Sequence, residues 1–239
     1  VRKTVGRCWV CPRFVTTYRG LLNAIKNPQD IEDVSFFKTP MRHPKTSHTN
    51  LCNAWDHWKS KDFLLSRGIN ELTARQENIT YDPKLNTAYV DVTSISPDLP
   101  DSCLWRQLTP TGKWLFRKGT KAIYYAWGWE KFVNSHKKVL LTEGIFDLLT
   151  TGLHPKGIAL LGSSPNKIKF HWLRKNVSGV VVWMDADAAG YKANSYFEEI
   201  CDYFNIPCKV FLAEKDPKRY NRKIRADRLV LEEVESLLF

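Results

Sequence analysis

The chain has 239 residues, of which 43% are hydrophobic and 26% charged, and its formal net charge is +11. This composition is ordinary for a globular protein and provides a core for one large domain or two small ones. No apolar stretch is long enough to cross a membrane, and the N-terminus lacks the apolar segment of a signal peptide. We therefore expect a cytoplasmic protein (host cytoplasm if viral) without a membrane partner, whose six scattered cysteines are reduced thiols.

Positive charge is concentrated in the first part of the chain. Residues 1–137 carry 21 Lys and Arg against 12 Asp and Glu, whereas residues 138–239 carry 15 against 13. An uneven positive charge attracts phosphate-rich partners through Coulomb attraction and counterion release. Nine Trp are also present, and aromatic faces stack on bases. These features favour nucleic acid as a partner over a protein that merely happens to be basic.

The first half of the chain is predicted to be a smaller basic α+β subdomain. Residues 1–49 are irregular and punctuated by proline, and the apolar spacing in residues 50–77 predicts two helices. Alternating patterns then predict short strands at 88–92, 103–108 and 113–116, separated by turn-rich stretches. We expect this subdomain to extend over residues 50–137.

After residue 137 the pattern changes to alternating strands and helices. Strands are predicted at 139–142, 158–161, 180–184 and 208–212, with helices near 145–153, 166–175 and 188–204. This alternation predicts an α/β fold with a central parallel sheet flanked by helices. Residues 219–239 form a basic segment and a last helix, which we expect to pack on the core. Docking of a helicase or polymerase partner is the alternative for that helix.

Two acidic clusters follow two of the predicted strands. Glu143 and Asp147 come after the first strand, and Asp185 and Asp187 come after the third. Because ligands bind at the carboxyl ends of parallel strands, these side chains are expected to meet at one sheet edge. A site made of carboxylates without His or Cys favours Mg²⁺ or Mn²⁺ over zinc. Helix N-capping is the alternative explanation for Asp187 alone.

These clusters resemble the Toprim domain, which bacterial-type primases, topoisomerases and some nucleases share. The resemblance covers residues 138–218 and lies in Glu143-Gly144 with Asp147, then Asp185 and Asp187 with Gly190. Upstream, Phe63–Ile69 is similar to a helix-turn signature of bacterial and phage primases. The stretches 105–108 and 112–115 resemble the primase segment whose basic residues hold phosphates and template.

The resemblance implies a DNA primase of a bacteriophage replication system, which makes short RNA primers on a single-stranded DNA template. Ribonucleoside triphosphates are the implied substrates, and a replicative helicase or DNA polymerase is a possible partner. Glu143, Asp185 and Asp187 would be catalytic and hold two divalent ions, with Asp147 and Asp216 as further metal ligands. Many members carry another acid two positions after Asp216, where this chain has Lys218. The implied template and nucleotide ligands are Arg67, Arg106, Lys113, Lys118 and Lys121.

A zinc site and two other functions remain open. Cys8 and Cys11 resemble one half of a zinc ribbon, and His48 and Cys52 are candidates to complete the four ligands that such a site needs. The first alternative function is a Toprim nuclease, in which the same ions activate water. The second is a non-catalytic nucleic-acid-binding subunit of a replication complex.

Overall fold

The computed structural model describes residues 6–7, 14–15, 51–96, 98–109, 112–117, 119–162, 166–220 and 224–239. The chain divides into two compact units, Val1–Ser47 and His48–Phe239. In the first unit, Gly6–Arg7 (β1) pairs antiparallel with Phe14–Val15 (β2). The predicted zinc ligands Cys8 and Cys11, and the candidate His48, lie outside the described residues.

The larger unit begins with a five-stranded antiparallel sheet. The spatial order of its strands follows their order in the chain. The strands are Cys52–Asn53 (β3), Thr80–Asp82 (β4), Thr87–Val92 (β5), Ser102–Gln107 (β6) and Leu115–Phe116 (β7). The predicted strands at 88–92 and 103–108 are confirmed, the third is only two residues long, and β3 and β4 are additional.

Two helices connect β3 to β4, as predicted for residues 50–77. They are Trp58–Ser66 (α1) and Glu71–Gln76 (α2). The side chain of Asn70 caps α2 by accepting a hydrogen bond from the Thr73 N–H at 2.9 Å. Gly68 lies between the helices with φ of +70°, a left-handed conformation that glycine adopts without steric cost. The turn directs Leu64 and Ile69 into the core, where both are buried.

The second sheet has four parallel strands and three covering helices, which confirms the predicted fold class. The strands are Lys137–Thr142 (β8), Gly157–Ala159 (β9), Val177–Val182 (β10) and Cys208–Val210 (β11). The helices that connect them are Ile145–Thr151 (α3), Lys167–Asn176 (α4) and Ala188–Tyr203 (α5). Val and Leu fill the two central strands because both faces of the sheet are covered.

The strand order β11-β10-β8-β9 determines where a ligand is expected to bind. After β8 the chain crosses to β9 at one edge of the sheet, and after β10 it crosses to β11 at the other edge. Since parallel crossovers are right-handed, α3 lies on one face and α4 and α5 on the opposite face. Phe170 of α4 accordingly contacts Phe197 of α5, with ring centroids 5.8 Å apart. The carboxyl ends of the adjacent strands β8 and β10 therefore form the topological switch point.

The two sheets share one apolar core in the larger unit. Phe146 of α3 stacks on Trp114 at 4.8 Å and meets Phe63 of α1 edge-on at 5.8 Å. The last helix, Arg225–Leu237 (α6), buries Leu231 and Val234 in that core, so its predicted packing is confirmed. Among the described residues, no helix combines the length and apolarity needed to cross a bilayer.

One lysine is buried in the parallel-sheet layer. Lys169 of α4 is only 5% exposed, and its Nζ donates a hydrogen bond to the Leu160 carbonyl just beyond β9. Burial lowers the pKa of Lys169 from 10.5 to about 7, because the charged form is poorly solvated there. Between pH 7 and 10 the unfolded chain therefore binds more protons at this residue than the folded chain does.

The first prediction concerns the pH dependence of stability. We compare the unfolding free energy of the unchanged protein with that of the Lys169→Met variant. Between pH 7 and 10, this difference should shift in favour of the unchanged protein by up to about 1.4 kcal/mol per pH unit. The slope is positive because the unfolded chain keeps the lysine proton that the folded chain has lost. This penalty on the folded state disappears as the pH rises to the ordinary lysine pKa of 10.5. Urea unfolding at several pH values measures the difference. Lys175→Met, at an exposed position of the same helix, is the control and should show no such trend.

Candidate functional site

A cleft of about 370 Å³ opens at the switch point between the two sheets. One wall consists of residues that follow the parallel strands, and the other consists of residues from α1, β6 and β7. The polar and charged residues of the cleft are Arg67, Arg106, Glu143, Asp147, Asp185 and Lys218. The structure thus brings three of the predicted acidic residues and two of the predicted arginines to one place.

The turn after β8 holds the first two carboxylates. Gly144 is the N-cap of α3, and its N–H donates to Oδ2 of Asp147 at 2.8 Å. A Cβ on Gly144 would lie 3.1 Å from that oxygen, so a side chain there would crowd the turn. Burial, with the negative charge of Asp185 added, raises the pKa of Asp147 to about 7. Burial also raises the pKa of Glu143, whose side chain is half-buried and has no hydrogen bond among the described residues.

The turn after β10 separates its two carboxylates. Asp185 lines the cleft, whereas Asp187 is exposed and caps α5, accepting a hydrogen bond from the Gly190 N–H at 2.7 Å. The chain folds back so closely that a Cβ on Gly190 would lie 1.9 Å from the Asp185 carbonyl oxygen, and only glycine fits. In the structure, Asp187 is therefore the N-cap of α5, as the alternative explanation for this residue predicted. Asp187 does not line the cleft beside Glu143 and Asp185.

Lys218 lies among these carboxylates. Its Nζ is 2.5 Å from Oδ2 of Asp185 and 3.5 Å from Oδ2 of Asp216. The other oxygen of Asp216 accepts a hydrogen bond from the Ala186 N–H at 2.9 Å. Burial alone would lower the pKa of Lys218, but the hydrogen bond to Asp185 and the charges of Asp147, Asp185 and Asp216 raise it overall. Both oxygens of Asp216 are therefore engaged within the protein.

Two carboxylates keep oxygen atoms that could bind a cation. Oδ1 of Asp185 is buried without a hydrogen-bond partner, and Glu143 also has none among the described residues. Mg²⁺ is commonly held by one or two carboxylates together with waters and substrate phosphates, so this pair fits one such ion. Within the described ranges, no three His, Cys, Asp or Glu side chains are grouped closely enough to hold a metal ion. Asp187 does not line the cleft with this pair, although its negative charge contributes to the raised pKa of Glu143.

The opposite wall presents two guanidinium groups. Arg67, at the end of α1, and Arg106, on β6, each lie over the ring of Phe63, at 5.3 and 5.4 Å from its centroid. In the described part of the chain, neither arginine forms an ion pair with an acidic residue. Nε of Arg106 is buried without a partner. Burial, with the nearby charge of Arg67, lowers the pKa of Arg106. Two unneutralised cations beside a cleft form a site suited to phosphate.

The two predicted lysines that the structure describes do not join this wall. Lys113 and Lys121 are exposed, and neither lines the cleft. Lys118 lies outside the described residues, as do the zinc candidates of the N-terminal segment. Cys52, the remaining zinc candidate, is on β3, where its thiol donates to the Tyr81 carbonyl at 3.5 Å.

A second groove, of about 470 Å³, adjoins the first and shares Arg67 and Arg106 with it. Trp58 forms part of its wall and is 69% exposed, an unusual position for so large an apolar side chain. The ammonium group of Lys59 lies 5.4 Å from the Trp58 ring. The sequence predicts the helix that contains Trp58, but helical spacing alone does not single out this residue as a ligand-binding one.

Comparison with known proteins supports the fold. No protein-family model matches the chain, and no curated protein matches it. Its structure resembles the zinc-binding and RNA polymerase domains of the Aquifex aeolicus primase, with a TM-score of 0.60 and 16% identity. The match covers 78% of this chain but 56% of that one, so the chain spans little more than half of the Aquifex protein fragment.

Two further primase structures are similar. The RNA polymerase domain of the Mycobacterium tuberculosis primase matches with a TM-score of 0.59 and 12% identity, over 76% of this chain and 78% of that one. The primase fragment of the bacteriophage T7 primase-helicase matches with a TM-score of 0.53 and 18% identity, over 71% and 72%. The chain therefore has the fold of primase catalytic cores.

The second prediction separates the capping role of Asp187 from its charge. Asp187→Asn removes the charge and keeps a good N-cap, whereas Asp187→Ala removes both. In the absence of divalent ions, Asp187→Ala should be less stable than Asp187→Asn by about 1 kcal/mol. Chemical denaturation of the two variants measures this difference. Equal stabilities would show that the observed cap does not stabilise α5.

Proposed function

We propose that this protein is a DNA primase that synthesises short RNA primers on single-stranded DNA for replication. The observation that carries the proposal is one cleft with acidic side chains on one wall and, on the other, two arginines that form no ion pair with any described acidic residue. The Toprim-like order of the acidic residues and the primase catalytic-core fold support the same conclusion. Nucleotidyl transfer needs both walls, because its substrates carry negative charge and its reacting oxygens need activation.

Arg67 and Arg106 are proposed to bind the triphosphate of an incoming nucleotide. A guanidinium group offers several fixed N–H donors and matches phosphate oxygens in pairs. The unpartnered Nε of Arg106 has a hydrogen bond to donate, and such a ligand would accept it. Both guanidinium groups lie over the Phe63 ring, and this contact would favour their present positions before a substrate binds.

Glu143 and Asp185 are proposed to hold one divalent ion, Mg²⁺ or Mn²⁺. Such an ion, when bound, lowers the pKa of an attacking hydroxyl and neutralises charge on phosphate. The raised pKa of Glu143, caused first by burial and then by Asp185, indicates that a second positive charge near this pair would be favourable. Asp147 is proposed to support the pair from behind, since its carboxylate accepts a hydrogen bond from the Gly144 N–H.

Single-stranded template is proposed to lie in the second groove and reach the cleft past the two arginines. An exposed tryptophan with lysine beside it offers a stacking surface for a base and a cation for its phosphate. Among the similar structures, one primase catalytic domain is bound to single-stranded DNA, at a TM-score of 0.59 and 14% identity. Another structure contains primase domains bound to an RNA/DNA hybrid and dTTP, together with a phage DNA polymerase. A replicative polymerase or helicase partner is part of our proposal.

The third prediction tests the reaction. Purified protein with single-stranded DNA, labelled ribonucleotides and Mg²⁺ or Mn²⁺ should produce short RNA. Asp185→Asn should reduce that product at least a hundredfold, because it removes a proposed metal ligand, while template affinity stays within about twofold.

Asp202→Asn supplies the matched control, since it makes the same change at an exposed position at the end of α5. It should retain full synthesis. Full synthesis by Asp185→Asn would contradict the assigned role of that residue. Degradation of the labelled DNA without nucleotide incorporation would establish the nuclease alternative instead, and template binding without either product would establish the non-catalytic subunit.

The fourth prediction tests the template path. Trp58→Ala should weaken single-stranded DNA binding by about 1–3 kcal/mol, because a stacking platform is lost, and Trp58→Phe should restore most of it. Leu72→Ala removes another exposed apolar side chain, from α2 and outside the groove, and should leave affinity unchanged. Fluorescence anisotropy with a labelled oligonucleotide measures all three. A Trp58→Ala variant that binds as well as Leu72→Ala would place the template elsewhere.

A further inference from the structure

Lys218 lines the cleft and lies between the carboxylates of Asp185 and Asp216. It belongs to a short 3-10 helix, Pro217–Arg219, which follows β11 and packs against α3. Its ammonium group contacts Asp185 at 2.5 Å and lies 3.5 Å from Asp216. It also lies close enough to Glu143 and Asp147 to affect the charge state of both. The cluster therefore contains a positive charge supplied by the chain itself.

The local structure keeps Lys218 in place. Asp216 joins this segment to the turn after β10 through its hydrogen bond from the Ala186 N–H at 2.9 Å. Arg219 adds a second contact to Asp216, with Nε at 3.3 Å from Oδ2. Pro217 is buried, so the backbone next to Lys218 is anchored in the core. The lysine side chain is 29% exposed, which leaves the ammonium group beside the cleft rather than in bulk solvent.

A metal ion and this ammonium group exclude each other. A divalent ion bridging Asp185 and Asp216 would need their oxygens about 2.1 Å away, within the volume that Nζ occupies. Bringing the two cations together in a partly buried site would also be strongly unfavourable. The unpartnered Oδ1 of Asp185 points to the remaining possibility, which is a single ion shared with Glu143.

We propose that Lys218 is an internal cation that replaces one divalent ion, so that this site accepts a single ion, at Glu143 and Asp185. The inference rests on the proposed function, because it specifies how the same cleft neutralises a polyphosphate. A site with an internal cation differs from a two-ion site in the number of divalent ions that it binds, and this number can be measured without catalysis. Removing the lysine charge should create a second position for a divalent ion.

The fifth prediction is a Mn²⁺ titration of the full chain without nucleotide or template. Free Mn²⁺ is followed by electron paramagnetic resonance, and the bound ions per chain are counted. Lys218→Met should bind one ion more than the unchanged protein, or bind its first ion at least tenfold more tightly. Lys218→Arg keeps the positive charge and should bind as the unchanged protein does.

Lys215→Met is the matched control for total charge. Lys215 lies three residues earlier and pairs with Asp227 at 2.5 Å, outside the acidic cluster. It should leave the Mn²⁺ count unchanged. Thermal unfolding checks that each variant is folded, and Lys218→Gln, which retains an N–H donor for Asp185, replaces Lys218→Met if the latter is unstable.

Two results would overturn the inference: an unchanged Mn²⁺ count and affinity in the folded Lys218 variant, or an equal gain in Lys215→Met. Primer synthesis by the unchanged protein is measured separately. Synthesis with no change in Mn²⁺ binding would refute the internal cation and leave the proposed function standing. A Mn²⁺ count that rises in Lys218→Met, together with no primer synthesis by the unchanged protein, would support the internal cation and refute the proposed function.

Discussion

The arrangement of the cleft depends on one electrostatic constraint, the neutralisation of carboxylates at the switch point of the parallel sheet. Glu143, Asp147 and Asp185 are held there by the strand ends and turns that precede them. Half-buried or buried carboxylates repel one another and lose solvation, which explains the raised pKa values of Glu143 and Asp147. Lys218 offsets part of this repulsion. The chain therefore keeps its acidic residues together without depending entirely on a bound ligand.

An aromatic layer joins the two walls of the cleft. Phe63 lies against both arginines, and Phe146 stands between Phe63 and Trp114 in a continuous series of ring contacts. The rings also exclude water, and charges act more strongly on a ligand in such surroundings. The packing of the two sheets thus determines the electrostatics of the site.

The parallel layer and its acidic motifs were predictable from the sequence, because their signals are local. Continuous apolar runs set β8 and β10, and amphipathic spacing set α3 to α5 within a few residues of their observed bounds. The positions of Glu143 and Asp185 at adjacent strand ends follow from this alternation. The side chains that complete the cleft were harder to predict, because their roles depend on contacts between distant segments. Lys218 meets Asp185 across 33 residues, and the helical spacing of Trp58 does not indicate that its side chain is exposed.

Charge and unsatisfied hydrogen bonding favour nucleotidyl transfer over the two other functions. Arg67 and Arg106 lie on the wall opposite the carboxylates and form no ion pair with a described acidic residue, whereas Lys218 is already paired with Asp185. Two such arginines suit the closely spaced charges of a triphosphate better than the single charge of a phosphodiester in a strand to be cut. A pure binding subunit would gain nothing from leaving the buried Oδ1 of Asp185 without a partner, which costs about 1–3 kcal/mol. Such a cost is typical of sites where a ligand or ion completes the hydrogen bonding, and it supports the role proposed for Asp185.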